Sequence, residues 1–329
     1  MDKYKFTKGV ERLVDPISVG SIHFMQFFNN LMPTNIQKKL VESSSKKTSA
    51  MGFIVDPYAY FLCYEINNID AANKLLPKGF KLVKCKIFND DEPKYYGIFG
   101  CVNVRTSAFM GLRVEFYIMA EDIETGLLSW IIIDYDTNTI SYDKKKGLTN
   151  PNATSSFVTT HYDGTLVANI VNKEENRSLI FNSDIKKGVM KDLDQRLWLE
   201  GNLSIGYGKN IVGDNKYIFS LKFDPNEVKE ALEIPLSNLD LQINNWYPNL
   251  LKDKPAKLAC FPYAQHFISD SPGYSSNIKN KEELIKVVAN TDFSKIKVID
   301  TNIFKYMFLI GSILSFIITT ILLTLLIIK

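Results

Sequence analysis

Between Met51 and Phe223 the chain is a close succession of short runs rich in aromatic and β-branched residues. Candidate strands cover 53–66, 80–88, 95–107, 112–121 and 127–135, then 155–162, 165–172, 177–182, 197–207 and 216–223. Asp163-Gly164, between two such runs, is a short hairpin signal, and residues 172–176 read as a longer hairpin loop. Ten or so strands with no long helix between them predict a mainly β (α+β) body, whose antiparallel sheet closes or folds on itself.

A few short helices interrupt the pattern. Residues 69–76 read as one, with Asp70 as N-cap and Pro77 as the stop, and Asp224-Pro225 opens another with Pro at its first position. Residues 281–289 suit a third. Part of 10–42 reads as helical, its apolar face packing on the body or lying along a bilayer surface, and 43–49 reads as a loop or flexible connection. No fixed-period repeat is visible.

The tail differs from the body. Tyr306 to Ile328 carries no charge, and as a helix it reaches about 34 Å, enough to cross a hydrocarbon core of about 30 Å. Only Lys329 follows, the layout of a C-terminal transmembrane anchor. Lys295, Lys297 and Lys305 precede it, which favours a cytoplasmic body. No early apolar run ends in small residues, so no secretory signal peptide is expected. The sequons at Asn152, Asn176 and Asn202 then read as chance, and Cys63, Cys85, Cys101 and Cys260 as buried reduced thiols.

With 46% hydrophobic residues, 23% charged and a net charge of +3, the chain has material for a sizeable core and no strong charge bias. Wholesale disorder is excluded, and a nucleic-acid surface is not expected. Phosphate-binding loop, dinucleotide-binding, zincin, nucleophile-elbow and EF-hand motifs are all missing, so no metal or cofactor is expected. Gly206-Tyr207-Gly208 reads as a turn at a strand end. Asp134-Tyr135-Asp136 reads as solvated acids of a strand running into a turn, His23, His161 and His266 as structural histidines, and Lys144-Lys145-Lys146 as a solvated loop.

Taken in order, four segments resemble the acetoacetate decarboxylase-like family. They are Leu75-Leu76-Pro77-Lys78-Gly79-Phe80, a strand beginning Gly111-Leu112-Arg113-Val114-Glu115, the strand 127–135 into Asp136 followed by Lys144-Lys145-Lys146-Gly147-Leu148, and His266-Phe267-Ile268-Ser269-Asp270. The resemblance covers about 53–275. It implies a closed or cone-like antiparallel β-barrel around a small organic acid, with catalysis through a Schiff-base lysine. That chemistry needs an amine of depressed pKa, produced by apolar burial and a neighbouring cation.

This sequence departs from the family where the chemistry lies. Asn150 and Pro151 stand where the family has two lysines, and neither forms an imine. Lys146 or Lys145 takes that role only in a different loop register. Glu115 keeps its family position as a substrate-binding carboxylate, and Arg113, two residues along the strand, shares its face.

Four segments are therefore expected: a helical and linker region 1–50, a decarboxylase-like barrel 51–275, a juxtamembrane region 276–304 and an anchor 305–329. The leading reading is a barrel that holds a small organic acid or amphipathic molecule without decarboxylating it. The alternatives are an active decarboxylase or related carbonyl lyase using a lysine of 144–146, and a membrane-tethered adaptor. A small organic molecule and, through 306–328, a membrane are the expected partners. Family members often form rings, so oligomerisation stays open.

Overall fold

The computed structural model describes residues 3–14, 33, 35, 50–106, 110–143, 147–269, 278–296 and 302–328. Its first strands are β1 (Met51–Val55), β2 (Ala59–Glu65), β3 (Phe80–Leu82), β4 (Tyr96–Thr106), β5 (Met110–Asp122) and β6 (Leu128–Thr137). A short pair follows, β7 (Ser141–Asp143) with β8 (Gly147–Thr149), then β9 (Ser155–Thr160), β10 (Thr165–Asn172) and β11 (Arg177–Asp184). Next come β12 (Val189–Asp192), β13 (Ile205–Tyr207), β14 (Ile218–Phe219), β15 (Leu221–Phe223) and β16 (Glu230–Glu233). The last are β17 (Leu239–Asn244), β18 (Lys257–Phe261) and β19 (Gln265–Ser269).

The main sheet runs β12-β16-β18-β2-β4-β5-β6-β13-β14, and a smaller one runs β17-β11-β10-β9. Strand β4 is long enough to fork the main sheet. Its residues 96–101 pair with β2, while Val104, Arg105 and Thr106 pair with β1, which in turn pairs with β19. The run expected at 53–66 is thus two strands, split at Asp56-Pro57-Tyr58, where Tyr58 takes a positive φ of 67°.

The expectation of a closed barrel is corrected here, because among the described residues the ladder of hydrogen bonds does not close. Residues 218–223 form a strand interrupted at Ser220: β14 pairs with β13, and β15 pairs with β19. The two ends of the ladder are joined there by one residue of chain. The Ser220 hydroxyl donates to the Leu203 carbonyl (2.6 Å).

The sheet is also not wholly antiparallel, since β13 runs parallel to β6. A parallel neighbour needs a crossover connection, and the expected strand 197–207 supplies part of one. Residues 196–203 are helical instead, leaving only Ile205–Tyr207 as strand. Asp194 caps this turn by accepting from Leu197 N (2.9 Å), while Leu197, Trp198 and Leu199 are all buried. A fully buried apolar run carries no period that separates strand from helix.

Smaller corrections follow the same chemistry. The helix Ile69–Leu75 is capped by Asn68, whose Oδ1 accepts from Ala71 N (3.0 Å), rather than by Asp70. The segment after Asp224 is a single tight turn, Pro225–Val228. The run 80–88 keeps only Phe80–Leu82 as strand. Lys281–Ala289 is helical as expected.

Alternation along β4, β5 and β6 builds two cores. On one face Phe99, Phe116, Ile118 and Ile131 pack against the small sheet through Leu166, Ile170 and Phe181. On the other, which we call the inner face, Ile98, Met119, Trp130, Ile132 and Tyr135 pack with Trp198, Phe223, Phe261 and Phe267. Full burial of each such side chain stabilises the fold by about 1.5–3 kcal/mol. A third, smaller core seats the N-terminal helix Lys5–Leu13 through Phe6 and Val10 against Ile54 and Ile268. All four cysteines are buried and unpaired.

The C-terminal helix Asn302–Ile328 contains a 20-residue stretch, Leu309–Ile328, of mean hydropathy 2.5 and no burial against the body. It is long and apolar enough to cross a membrane. Most of 10–42, the connection 43–49, Lys144–Lys146 and Asp270 lie outside the described residues.

Candidate functional site on the inner face

On β5, Leu112, Val114, Phe116 and Ile118 enter the core shared with the small sheet, so Arg113, Glu115 and Tyr117 fall on the inner face. Register then sets their neighbours. Glu115 lies opposite Gly100 of β4 and Tyr135 of β6, and Arg113 lies opposite Val102 and Thr137. Gly100 is in turn opposite Phe61 of β2.

The three β5 side chains form one cluster. Arg113 Nε donates to Glu115 Oε1, and the Tyr117 hydroxyl donates to Glu115 Oε2. The Arg113 guanidinium lies 4.1 Å from the centroid of the Tyr135 ring, a cation–π contact. Arg113 and Glu115 are largely buried, with side-chain exposures of 16% and 14%. Burial opposes the charge on Arg113, but Glu115 and the neighbouring Tyr135 and Tyr207 outweigh it and hold its pKa above the usual value. Burial, followed by the charge of Glu115, pushes the Tyr117 phenol well up, so its proton stays on the hydroxyl.

Aromatic side chains surround the cluster. Tyr117 stands edge-on to Trp130 (4.9 Å between centroids), and Trp130 also meets Phe61 (5.9 Å) and Trp198 (5.3 Å). Tyr207 of β13 packs near Phe219 (5.8 Å). A charged pair held among aromatic rings feels a lower dielectric than one at the surface, which strengthens its interactions and raises the cost of leaving either member alone.

The structure thus brings Arg113 and Glu115 together. The sequence reading missed Tyr117, Tyr135 and Tyr207; the turn assigned to Gly206-Tyr207-Gly208 is in part strand β13. Lys145 and Lys146 lie outside the described residues. Lys257 shares the face of Ala259 and Phe261 on β18 and is bound to Asp91 (2.6 Å) and Glu233 (2.5 Å). Burial works against its charge, yet those two carboxylates hold its pKa above the ordinary lysine value, the opposite of what an imine-forming amine requires. His266 points away from the inner face. Its Nδ1 meets Glu227 (2.8 Å) and its Nε2 meets Glu11 of the N-terminal helix (3.4 Å).

Asp134 and Asp136 are not solvated turn acids. Ile133 is the extra residue of a bulge between β5 and β6, which turns both carboxylates toward the small sheet and leaves Tyr135 on the inner face. Asp136 is fully buried and bound by Arg177 (2.6 Å), Asn172 (2.7 Å) and Asn152 (3.0 Å), while Asp134 also binds Arg177. This network ties the two sheets together. Among the described residues, no group of three or more His, Cys, Asp and Glu side chains is arranged to hold a metal ion.

No protein-family model matches the chain, and no curated protein matches it. Among solved structures, the chain is similar to acetoacetate decarboxylase from Legionella pneumophila, at 16% identity and a TM-score of 0.43, over 67% of this chain and 85% of that one.

Proposed function

We propose that this protein is a membrane-anchored, acetoacetate decarboxylase-like binder of a small organic acid or amphipathic molecule, held on the inner face of the main sheet. The observation that carries this reading is the buried cluster of Arg113, Glu115 and Tyr117. Desolvating a charged pair costs several kcal/mol per ion, and apolar side chains of similar volume would fill the space at no such cost. A buried charge pair set among aromatic side chains, with the Arg113 pKa held above its usual value, is the kind of group that functional sites concentrate. Arg113 supplies charge and directional N–H donors to a carboxylate or carbonyl, and Phe61, Trp130 and Tyr135 supply apolar contact to the rest of the ligand.

Schiff-base decarboxylation is not part of this reading. Asn150 and Pro151 carry no amine, and Lys257 is committed to Asp91 and Glu233. Residues 51–275 form the binding body in this reading, and Leu309–Ile328 is the span, with Lys295, Lys297 and Lys305 on the cytoplasmic side. Native mass spectrometry of the detergent-extracted full chain tests the proposal through a co-purifying small molecule that is lost from the Arg113→Ala, Glu115→Ala double variant.

A further inference from the structure

The N-terminal helix Lys5–Leu13 places Lys5, Lys8 and Arg12 on one exposed side, at helical spacing. Together with Asn290, Thr291, Asp292, Phe293 and Ser294, that side lines an open pocket of about 340 Å³. The two walls meet closely. A Cβ on Gly9 would lie 2.3 Å from the Phe293 ring, and Phe6 stands edge-on to the same ring (5.7 Å). A glycine inside a helix costs roughly 0.5–1 kcal/mol relative to alanine, and here it permits the contact that forms the pocket.

Lys5 Nζ donates to the Ala289 carbonyl (3.5 Å), next to the pocket wall. Glu11, the acid of this helix, is turned to His266 (3.4 Å) and Arg105 (3.9 Å). Asp292 is the acid of the lining, and it is bound by Lys295 (3.1 Å) and by the Ser294 hydroxyl (2.6 Å). Thr291 Oγ1 donates to Val287 O (2.7 Å), and Asn290 Nδ2 donates to Lys286 O (2.9 Å). Recognition here therefore rests on cationic charge rather than on a fixed cage of neutral donors.

Position along the chain says what the charge meets. From Ile296 to the start of the C-terminal helix at Asn302 is six residues, at most about 20 Å when fully extended. If that helix spans a bilayer, the pocket is tethered close to the headgroups. Tyr4, 57% exposed beside Lys3 (5.6 Å from its ring centroid), adds the amphipathic aromatic that headgroup regions favour.

We infer that Lys5, Lys8 and Arg12, with the 290–294 segment, form a docking surface for the phosphate groups of anionic phospholipids in the membrane that holds the C-terminal helix. The inference rests on the anchor in the proposed function and is independent of the inner-face ligand. Because charge carries it, vesicles of equal charge made with phosphatidylserine or with a phosphoinositide engage the surface alike.

The test is hydrogen exchange of the full chain in nanodiscs of phosphatidylcholine alone, and with added phosphatidylserine or phosphatidylinositol 4-phosphate. Residues 3–14 and 290–296 are expected to exchange at least roughly fivefold more slowly on the anionic discs, the factor given by about 1 kcal/mol per surface-held cation. High salt should abolish the difference. Lys5→Gln, Lys8→Gln, Arg12→Gln should abolish it too, while Lys8→Arg keeps it. Equal exchange of the unaltered chain on neutral and anionic discs overturns the inference, whatever the variants do. Equal slowing by inorganic phosphate added to detergent-solubilised protein overturns the lipid source in favour of a free anion. Alkaline carbonate extraction separates the two readings. A chain released from vesicles contradicts the anchor, and the inference with it, whereas an inserted chain indifferent to anionic lipid contradicts the docking surface alone.

Discussion

Gly100 lies directly across the β4–β5 ladder from Glu115, with Phe61 and Tyr117 closing over the position where a side chain would stand. A Cβ there would be 3.1 Å from each ring, so the carboxylate owes its surroundings to a residue that has no side chain. Gly100→Ala is expected to push both rings and cost about 1–3 kcal/mol, as overpacked cores do. Chemical denaturation measures the loss, and a shift of the Tyr117 ring in NMR shows where it falls.

Tyr117→Phe keeps the ring against Trp130 and removes one donor from Glu115. A buried acceptor that loses a partner costs about 1–3 kcal/mol. Ligand retention should fall with it, because the geometry of Glu115 relative to Arg113 is then held from one side. Tyr117→Leu should lower stability further through lost packing, and thermal melts of the two variants separate these contributions.

Arg177 holds Asp134 and the fully buried Asp136 at the junction of the two sheets. Arg177→Met is expected to destabilise the protein by about 3–5 kcal/mol, because it leaves a buried carboxylate uncompensated. Adding Asp136→Asn should restore part of that loss. Inner-face ligand binding by the folded double variant should stay close to normal, since Ile133 turns these acids to the opposite face from Glu115.

His266 connects β19 to the Pro225–Val228 turn through Glu227 and to the N-terminal helix through Glu11. Burial opposes its protonation, but the two carboxylates win and raise its pKa above the ordinary histidine value. A raised pKa in the folded state contributes stability that is fully present below about pH 6.5 and is lost as pH rises through the folded value. Unfolding free energy measured across that window should therefore decline, and His266→Gln should flatten the decline. Equal slopes for the two proteins contradict this linkage.

Borohydride reduction in the presence of β-keto acids is expected to leave every lysine unlabelled by mass spectrometry. A stable adduct on Lys144, Lys145 or Lys146 would restore the decarboxylase reading.

Much of the β body was legible because β4, β5 and β10 alternate apolar and polar residues or are bounded by turn signals. The shared face of Arg113 and Glu115 followed from period two alone. What stayed hidden depended on register. The bulge at Ile133 inverts the facing of Asp134, Tyr135 and Asp136, and nothing local in an isoleucine run announces it. Tyr117, Tyr135 and Tyr207 were not singled out because aromatic residues are abundant in these strands and packing explains most of them. Leu197-Trp198-Leu199 is buried on every side, which removes the periodicity that would have marked it as helical. The break that keeps the ladder from closing falls at Ser220, a single residue whose hydroxyl bonds to Leu203 O.

Native mass spectrometry of the full chain released gently from detergent tests the central claim most directly. The account predicts a small organic molecule bound to the unaltered protein and absent from folded Arg113→Ala, Glu115→Ala protein. An unaltered protein that carries no such molecule and takes up none from a panel of carboxylic and keto acids, or a double variant that retains it, would contradict the account.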